Sequence, residues 1–445
     1  MPIALVLVWR WIRLARKRID PRLKLAQVGG TMVVVGALLV VELWLHFKPP
    51  GIRSAYKWGE LAGVMAVYLM SVSLLLATRA RWLEPGFGGL DRMYLWHRRL
   101  STLAMLLLLP HVLVTGHGRA VGAASHASLG RALGVLSALG LVLLVAVSVR
   151  RIGDLLRIPY RRWLLLHRLT GLFFLSGAVH GILLDDVIGS STTLMVAFVA
   201  ISAVGTGAYG YSELLRRRVE PQADYEVSEI RRLPGDVVEL HLAPRGEAVS
   251  PRPGQFVFLR IAGRDRWGAH PFSVSGHEPD GGIRLSIRAL GRDTRAMHET
   301  LISGERGAVS GPHGMFDYTL GGQRQVWIAG GIGIAPFLSW LQALGDEDSH
   351  SIDLFYSVRT EADAAYLAEV ISQAERLRSV RIHPVLTARE GRLTIGRVLG
   401  VIDRPLSDVH AFLCGPERMV DGLTRALRQH GLPREHLHSE EFAFR

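Results

Sequence analysis

Six apolar stretches of about 20 residues crowd the first 211 positions, near 26–47, 58–78, 93–116, 130–149, 160–184 and 190–211. A helix of that length spans the hydrocarbon core of a bilayer. In lipid every backbone N–H and C=O must be satisfied within the protein, so such runs fold as a bundle of helices. Composition agrees: hydrophobic residues make up 49% of the chain and mean hydropathy is +0.23.

The net charge is +13, and its distribution points to lipid rather than nucleic acid. One side of the spans collects Arg10, Arg13, Arg16, Lys17, Arg18, Arg22, Lys24, Arg79, Arg81, Arg92, Arg150, Arg151, Arg157, Arg161, Arg162 and Arg216–Arg218. The other side has only Lys48, Arg53, Lys57, Arg119 and Arg131. The basic side faces the cytoplasm by this rule. The expectation is a multi-pass protein of the plasma (inner) membrane, with its N-terminus and everything after residue 211 inside. Residues 1–25 place their charges after their apolar residues, the reverse of a signal peptide, and read as an amphipathic interfacial segment. The single cysteine, Cys414, excludes an intramolecular disulfide framework and a thiol-rich metal site.

Two spans carry histidines, which are expensive in hydrocarbon and so point to function. His97 and His111 lie on the third span, His167 and His180 on the fifth. At about 1.5 Å and 100° per residue, His97 and His111 are roughly 21 Å apart along the axis and share a face. His167 and His180 are roughly 20 Å apart but offset by about 140°. A π-bulge or kink near Gly171 or Gly177 is therefore expected to realign them. The spans then offer two facing imidazole pairs, His97 with His167 at the inner depth and His111 with His180 at the outer. Such a pair can hold a haem iron from both axial positions, with Arg98, Arg99 and Arg168 beside the inner pair for its propionates. Zinc or copper would be left short of ligands. The competing reading is a set of packed or cavity-lining histidines in a haem-free transporter or sensor; two pairs at matched depths argue against it. His46, His117 and His126 read as interfacial or loop residues.

After residue 222 the pattern changes to alternating short strands, 225–231, 237–242, 255–261 and 283–289, separated by Pro/Gly turns. This suggests an antiparallel β-barrel over 222–320. His270-Pro271-Phe272-Ser273 sits at a barrel strand. There the Ser273 hydroxyl suits a ring nitrogen and Pro271 and Phe272 form an apolar wall. Arg288, Gly291 and Thr294 make a diphosphate cradle at a helix start, and the Gly/Pro sequence 311–316 reads as a tight turn closing the barrel. From 325 to 445, strand and helix patterns alternate, as in a parallel α/β sheet. Gly330, Gly331 and Gly333 let backbone amides approach a pyrophosphate, although Pro336 replaces the last small residue of the usual dinucleotide pattern. Arg359 ends the second strand, within reach of a ribose or 2′-phosphate. Cys414, Gly415 and Pro416 end another at its carboxyl edge, where open sheets bind ligands. Phe442, near the C-terminus, suits stacking on a flavin.

Taken together, these motifs resemble the NADPH oxidase and ferric reductase family, especially its compact bacterial members. The resemblance implies a six-helix membrane bundle (26–215) followed by a ferredoxin-reductase-like unit, an FAD-binding barrel (222–320) and an NAD(P)-binding α/β domain (325–445). It implies two b-type haems held by His97/His167 and His111/His180. FAD would be held by 270–273 and by 288–294, and NADPH or NADH by Gly330–Pro336, Arg359 and Cys414–Pro416. Cys414 and Phe442 would stand nearest the hydride chemistry. The implied activity is transmembrane electron transfer from cytoplasmic NAD(P)H to an acceptor at the outer face. Oxygen, giving superoxide, is the first expectation; a ferric chelate is the alternative. The fourth residue after His111 is Thr115, where family oxidases often place Arg or His nearby. The nearest candidates here are His117, Arg53 and Lys57. No EF-hand, nucleic-acid partner or required protein partner is indicated.

Overall fold

The computed structural model describes residues 26–50, 54–115, 124–149, 152, 155–156, 158–184, 186–264, 267–345 and 348–440. The interfacial segment expected over 1–25, the acceptor-side candidates Arg53 and His117, and Phe442 lie outside the described residues. The chain divides into two compact units, one ending at Val219 and the other beginning at Glu220.

The first unit is helical: α1 (Val28–Phe47), α2 (Ser54–Ala77), α3 (Leu90–Thr115), α4 (Ala124–Ser148), α5 (Tyr160–Arg168), α6 (Thr170–Leu184) and α7 (Thr192–Gly210). Among the described residues five helices are long and apolar enough to cross a membrane; α7 counts with its continuation to Leu215. The fifth expected span is not one of them, because it is broken into α5 and α6 at Leu169. Central α2 packs against α3, α7, α1 and α6, while α4 packs mainly on α6. Apolar side chains such as Met32, Leu39, Leu106, Leu113, Leu139, Leu143 and Val196 point outward. A water-soluble bundle would bury such side chains; a lipid-facing surface leaves them out.

The break at Leu169 lies between His167 and His180, close to one of the two expected places. It precedes Gly171, and Gly177 lies inside continuous helix. It is a tightening rather than a π-bulge: the Leu169 amide donates back to Leu166 O at 2.9 Å, and the Thr170 hydroxyl donates to the His167 carbonyl at 2.6 Å. The i→i−3 bond and the hydroxyl satisfy groups that the interruption would otherwise strand. A π-helical turn does occur, over Tyr211–Leu215 at the end of the sixth span.

In the second unit β1 (Gln222–Leu233), β2 (Val237–Pro244), β3 (Phe256–Ile261), β4 (His270–His277), β5 (Ile283–Arg288) and β6 (Arg306–His313) form a closed antiparallel barrel in the order β1-β2-β5-β4-β3-β6. Its inward set, including Val227, Leu240, Val257, Leu259, Val274, Leu285 and Val309, is fully buried. Gly311–His313, expected in a tight turn, instead finishes β6, where His313 pairs with Phe256. The chain leaves the strand at Gly314, whose φ is +94°. Helix α8 (Arg292–Thr300) follows β5.

β7 (Arg324–Gly330), β8 (Ser351–Val358), β9 (Val380–Leu386), β10 (Val409–Cys414) and β11 (Leu437–Glu440) form a parallel sheet in the order β11-β10-β7-β8-β9, with α9 (Ala335–Ala343), α10 (Leu367–Arg376) and α11 (Glu417–Gln429) among the connections. The chain steps outward from β7 to β8 and β9, then returns to add β10 on the other side. A topological switch point therefore lies between β7 and β10, where carboxyl ends open a crevice. Barrel and sheet are joined by polar contacts: Arg284 pairs with Glu369 at 2.7 Å and lies 3.5 Å from Glu239, and Ser286 Oγ meets Tyr366 OH at 2.6 Å.

Candidate functional site

In the helical unit the four histidines meet in the two expected pairs. Ring centroids of His97 and His167 are 6.1 Å apart, and those of His111 and His180 are 6.2 Å apart. In each pair the ring planes are nearly perpendicular, at 78° and 80°. A metal–imidazole bond is about 2.0 Å, and a ring centre lies roughly 1.1 Å behind its nitrogen. One ion gripped from both sides would thus set the centroids about 6.2 Å apart. Both pairs have that separation.

Hydrogen bonding selects the tautomer of each ring. His97 Nδ1 lies 2.9 Å from Ser73 O, His111 Nδ1 3.1 Å from Gly59 O, and His180 Nδ1 2.8 Å from Gly130 O. A carbonyl only accepts, so each Nδ1 carries the proton. His167 Nδ1 lies 3.2 Å from Ser148 Oγ. That hydroxyl spends its one proton on Leu144 O at 2.7 Å and accepts from Trp163 Nε1 at 3.0 Å, so it also accepts from His167. All four rings are therefore the Nδ1–H tautomer, the form in which Nε2 could serve as a metal ligand. The indole of Trp163 also stacks on His167 at 5.0 Å and 17°. Neither the serines nor the glycines behind these rings announced themselves in the sequence, because each lies on a neighbouring helix. Of the basic residues expected beside the His97–His167 pair, Arg98 and Arg99 are exposed. Arg168 lies 3.4 Å from Glu213, which the π-helical turn presents.

In the second unit the motifs gather at the switch point. Gly330 ends β7, and a Cβ there would lie 2.8 Å from Pro416 Cδ. A Cβ on Gly333 would lie 2.4 Å from the Cys414 carbonyl oxygen. These glycines let the β7–α9 turn press against the end of β10. Gly331 has φ +55° and faces Arg288, which reaches over from β5 to within 3.9 Å of Asp363. Arg288 thus reaches from the barrel to the turn that follows β7. Pro336 is buried in the first turn of α9, where its missing N–H costs nothing. Arg359 is exposed just beyond β8.

Gly291 and Thr294 open α8, but the Thr294 hydroxyl is not turned to a ligand. It closes the helix cap, accepting from Gly291 N at 3.0 Å and donating to Gly291 O at 3.2 Å. On β4, His270 lies 3.5 Å from Asp293 Oδ2, and Pro271 and Phe272 are half-buried beside it. The buried Ser273 hydroxyl donates to Glu440 Oε2 at 3.4 Å. Glu440 pairs with Cys414 across β10 and β11 and is itself 2% exposed. Burial, and then the Glu440 carboxylate, push the Cys414 thiol well up, so it stays a neutral thiol. Sequence reasoning missed β11 and Glu440 because a four-residue strand carries almost no periodic signal.

The comparisons with known proteins match this layout in order. Residues 62–178 match the family described as ferric reductase like transmembrane component, 223–330 an FAD-binding domain and 327–425 an oxidoreductase NAD-binding domain. The chain is 26% identical over 231 residues to the reductase component of propane 2-monooxygenase of Rhodococcus jostii (strain RHA1), which covers 48% of this chain and 62% of that protein. It is 30% identical over 163 residues to the carnitine monooxygenase reductase subunit of Escherichia coli (strain K12), covering 36% and 48%. The chain thus spans about half to two thirds of these relatives. A flavohemoglobin from Malassezia yamatoensis is similar in fold, with 14% identity, a TM-score of 0.51 and coverage of 86% and 96%.

Proposed function

We propose that this multi-pass oxidoreductase, which has the domain architecture of NADPH oxidases and ferric reductases, carries electrons from cytoplasmic NAD(P)H across a membrane to an outer acceptor. The observation that carries the reading is the pair of histidine pairs. Each has the spacing for one shared ion, and each ring has its Nδ1 proton committed elsewhere. Among the described residues no group of three or more His, Cys, Asp or Glu converges as a metal site. An ion held by two imidazoles must then bring its other donors with it, as the iron of a b-type haem does. When bound, FAD would supply the exchange between a hydride and single electrons, and the two haems a relay through the hydrocarbon.

The residues have distinct tasks. His97 and His167 hold one haem and His111 and His180 the other, with Ser73, Ser148 and Trp163 orienting the first pair. His270, Pro271, Phe272 and Ser273 line the flavin, with Arg288 and the start of α8 at Gly291 and Thr294 near its diphosphate. Gly330, Gly331 and Gly333, with Pro336, Arg359, Cys414, Gly415 and Pro416, receive NAD(P)H at the switch point. Glu440 orients Ser273, and Phe442 is assigned to covering the flavin. Oxygen, reduced to superoxide, is the proposed acceptor, with a ferric chelate served by the same path as the second reading. Turnover with NADPH or NADH under air, then under argon with a ferric chelate, separates the two. A purified chain with no dithionite-induced Soret shift would overturn the haem assignment.

A further inference from the structure

The two rings of the His111–His180 pair rest on the same local device, built twice. On α2, Gly59 and Gly63 are four residues apart and so share a face. His111 Nδ1 donates to the Gly59 carbonyl at 3.1 Å. A Cβ added to Gly63 would stand 2.6 Å from that same nitrogen and 2.8 Å from Cε1. On α4, Gly130 and Gly134 repeat the spacing. His180 Nδ1 donates to the Gly130 carbonyl at 2.8 Å, and a Cβ on Gly134 would stand 2.6 Å from Nδ1 and 2.7 Å from Cε1.

The physical reason for the pairing lies in helix geometry. Each Cβ leans toward the N-terminus, so the side chain at i+4 stands over the carbonyl of residue i. That carbonyl already accepts the i+4 amide but has a second lone pair. A glycine at i+4 uncovers it, and the imidazole edge occupies the space a methyl would fill. Glycine at i serves a different end. A Cβ on Gly59 would crowd Val114 at 3.0 Å and one on Gly130 would strike Leu184 at 2.5 Å, so these positions bring the partner helices close. The His97–His167 pair uses serines instead, with Ser73 contributing both its carbonyl and its hydroxyl.

We propose that Gly63 and Gly134 are positioning residues for the His111–His180 centre, each uncovering the carbonyl that orients one ligand. This rests on the reading that the pair holds a haem. The test uses the full chain in detergent, measuring haem per flavin and the low-temperature electron paramagnetic resonance spectrum. Gly63→Ala and Gly134→Ala should each lower haem per flavin from two toward one, or convert one low-spin centre to high-spin. The other centre and the flavin should persist, and the affected centre should be the one lost in His111→Ala. Gly207→Ala, whose Cβ would meet nothing within 4 Å, should keep both. Two unchanged low-spin centres in Gly63→Ala, or loss of both together, would overturn the inference. If Gly63→Ala fails to accumulate, Gly134→Ala carries the same test against the opposite ligand. Wild-type protein without haem would instead remove the functional reading beneath it.

Discussion

Ser148→Ala and Ser73→Ala look like the same substitution behind two facing histidines, the proposed haem ligands, yet they should differ sharply. Ser148 Oγ is the acceptor for His167 Nδ1 at 3.2 Å and also holds the Trp163 indole at 3.0 Å. Removing it leaves His167 without that acceptor and loosens the ring stacked upon it. His97 Nδ1 has two acceptors from Ser73, the hydroxyl at 2.8 Å and the backbone carbonyl at 2.9 Å. The carbonyl survives substitution. Loss of an outer partner to a metal-binding histidine typically costs about 10–100-fold in affinity, or about 1.4–2.7 kcal/mol. Ser148→Ala should therefore lose haem from one centre about 10–100 times faster than wild type, while Ser73→Ala stays within about threefold. Transfer of haem from the detergent-solubilised chain to excess apomyoglobin, followed at the Soret band, measures both. Equal rates for the two variants, or an unchanged rate in Ser148→Ala, would refute the assignment of the His167 tautomer to Ser148.

Three further outcomes are expected. Burial alone would raise the Asp353 carboxyl, but hydrogen bonds from His383, Arg381 and Arg324 hold it well below the usual range. Asp353→Asn takes from Arg324, which is 4% exposed, its buried carboxylate and leaves it Asp403 at 3.4 Å and backbone carbonyls, at a cost of up to about 3–5 kcal/mol, so a flavin-release melt should drop by up to roughly 6–20 °C; a drop below about 2 °C would count against it. Because the folded carboxyl lies below its unfolded value near about 3.9, wild type loses this contribution as the pH falls through that value and below, and the variant should be flatter there. Burial, then His436, lowers His410 to about 4. Its unfolded value is about 6.5, so the unfolded chain takes up the proton first and melting temperature should fall as the pH drops from about 6.5 to 4; His410→Gln should reduce that slope, and an identical profile would exclude His410 as its source. Gly333→Ala drives a Cβ into the backbone of Cys414 and Gly415. It should raise KM for NAD(P)H about tenfold or more with flavin content retained, consistent with an overpacking cost of about 1–3 kcal/mol; an unchanged KM would mean the turn is not the nucleotide site.

Much of this protein is legible along the chain because helix rise and strand alternation are local properties of the backbone. The apolar runs located the spans, and counting residues between histidines placed His97 and His111 on one face. The same count showed that His167 and His180 could not align on a straight helix. Glycines 330, 331 and 333 marked a close backbone approach before the sheet order was known. What the count could not supply was the exact residue at which the helix breaks. Leu169 carries no signal of its own, and the break is stabilised there by the Thr170 hydroxyl closing on the His167 carbonyl. Nor could it supply the acceptors of the four Nδ1 atoms. Those belong to neighbouring helices, at positions set by the register of one helix against the next. Gly59 and Ser73 are 14 residues apart on α2, as are His111 and His97 on α3, so the antiparallel pair falls into register at both depths. Glu440 meets Ser273 across 167 positions only because a four-residue strand adds to the edge of β10. The sequence alone determined which residues could be ligands and how far apart they stand along their spans. Tertiary packing decided which nitrogen of each ring carries its proton, because that choice belongs to the neighbour that accepts it.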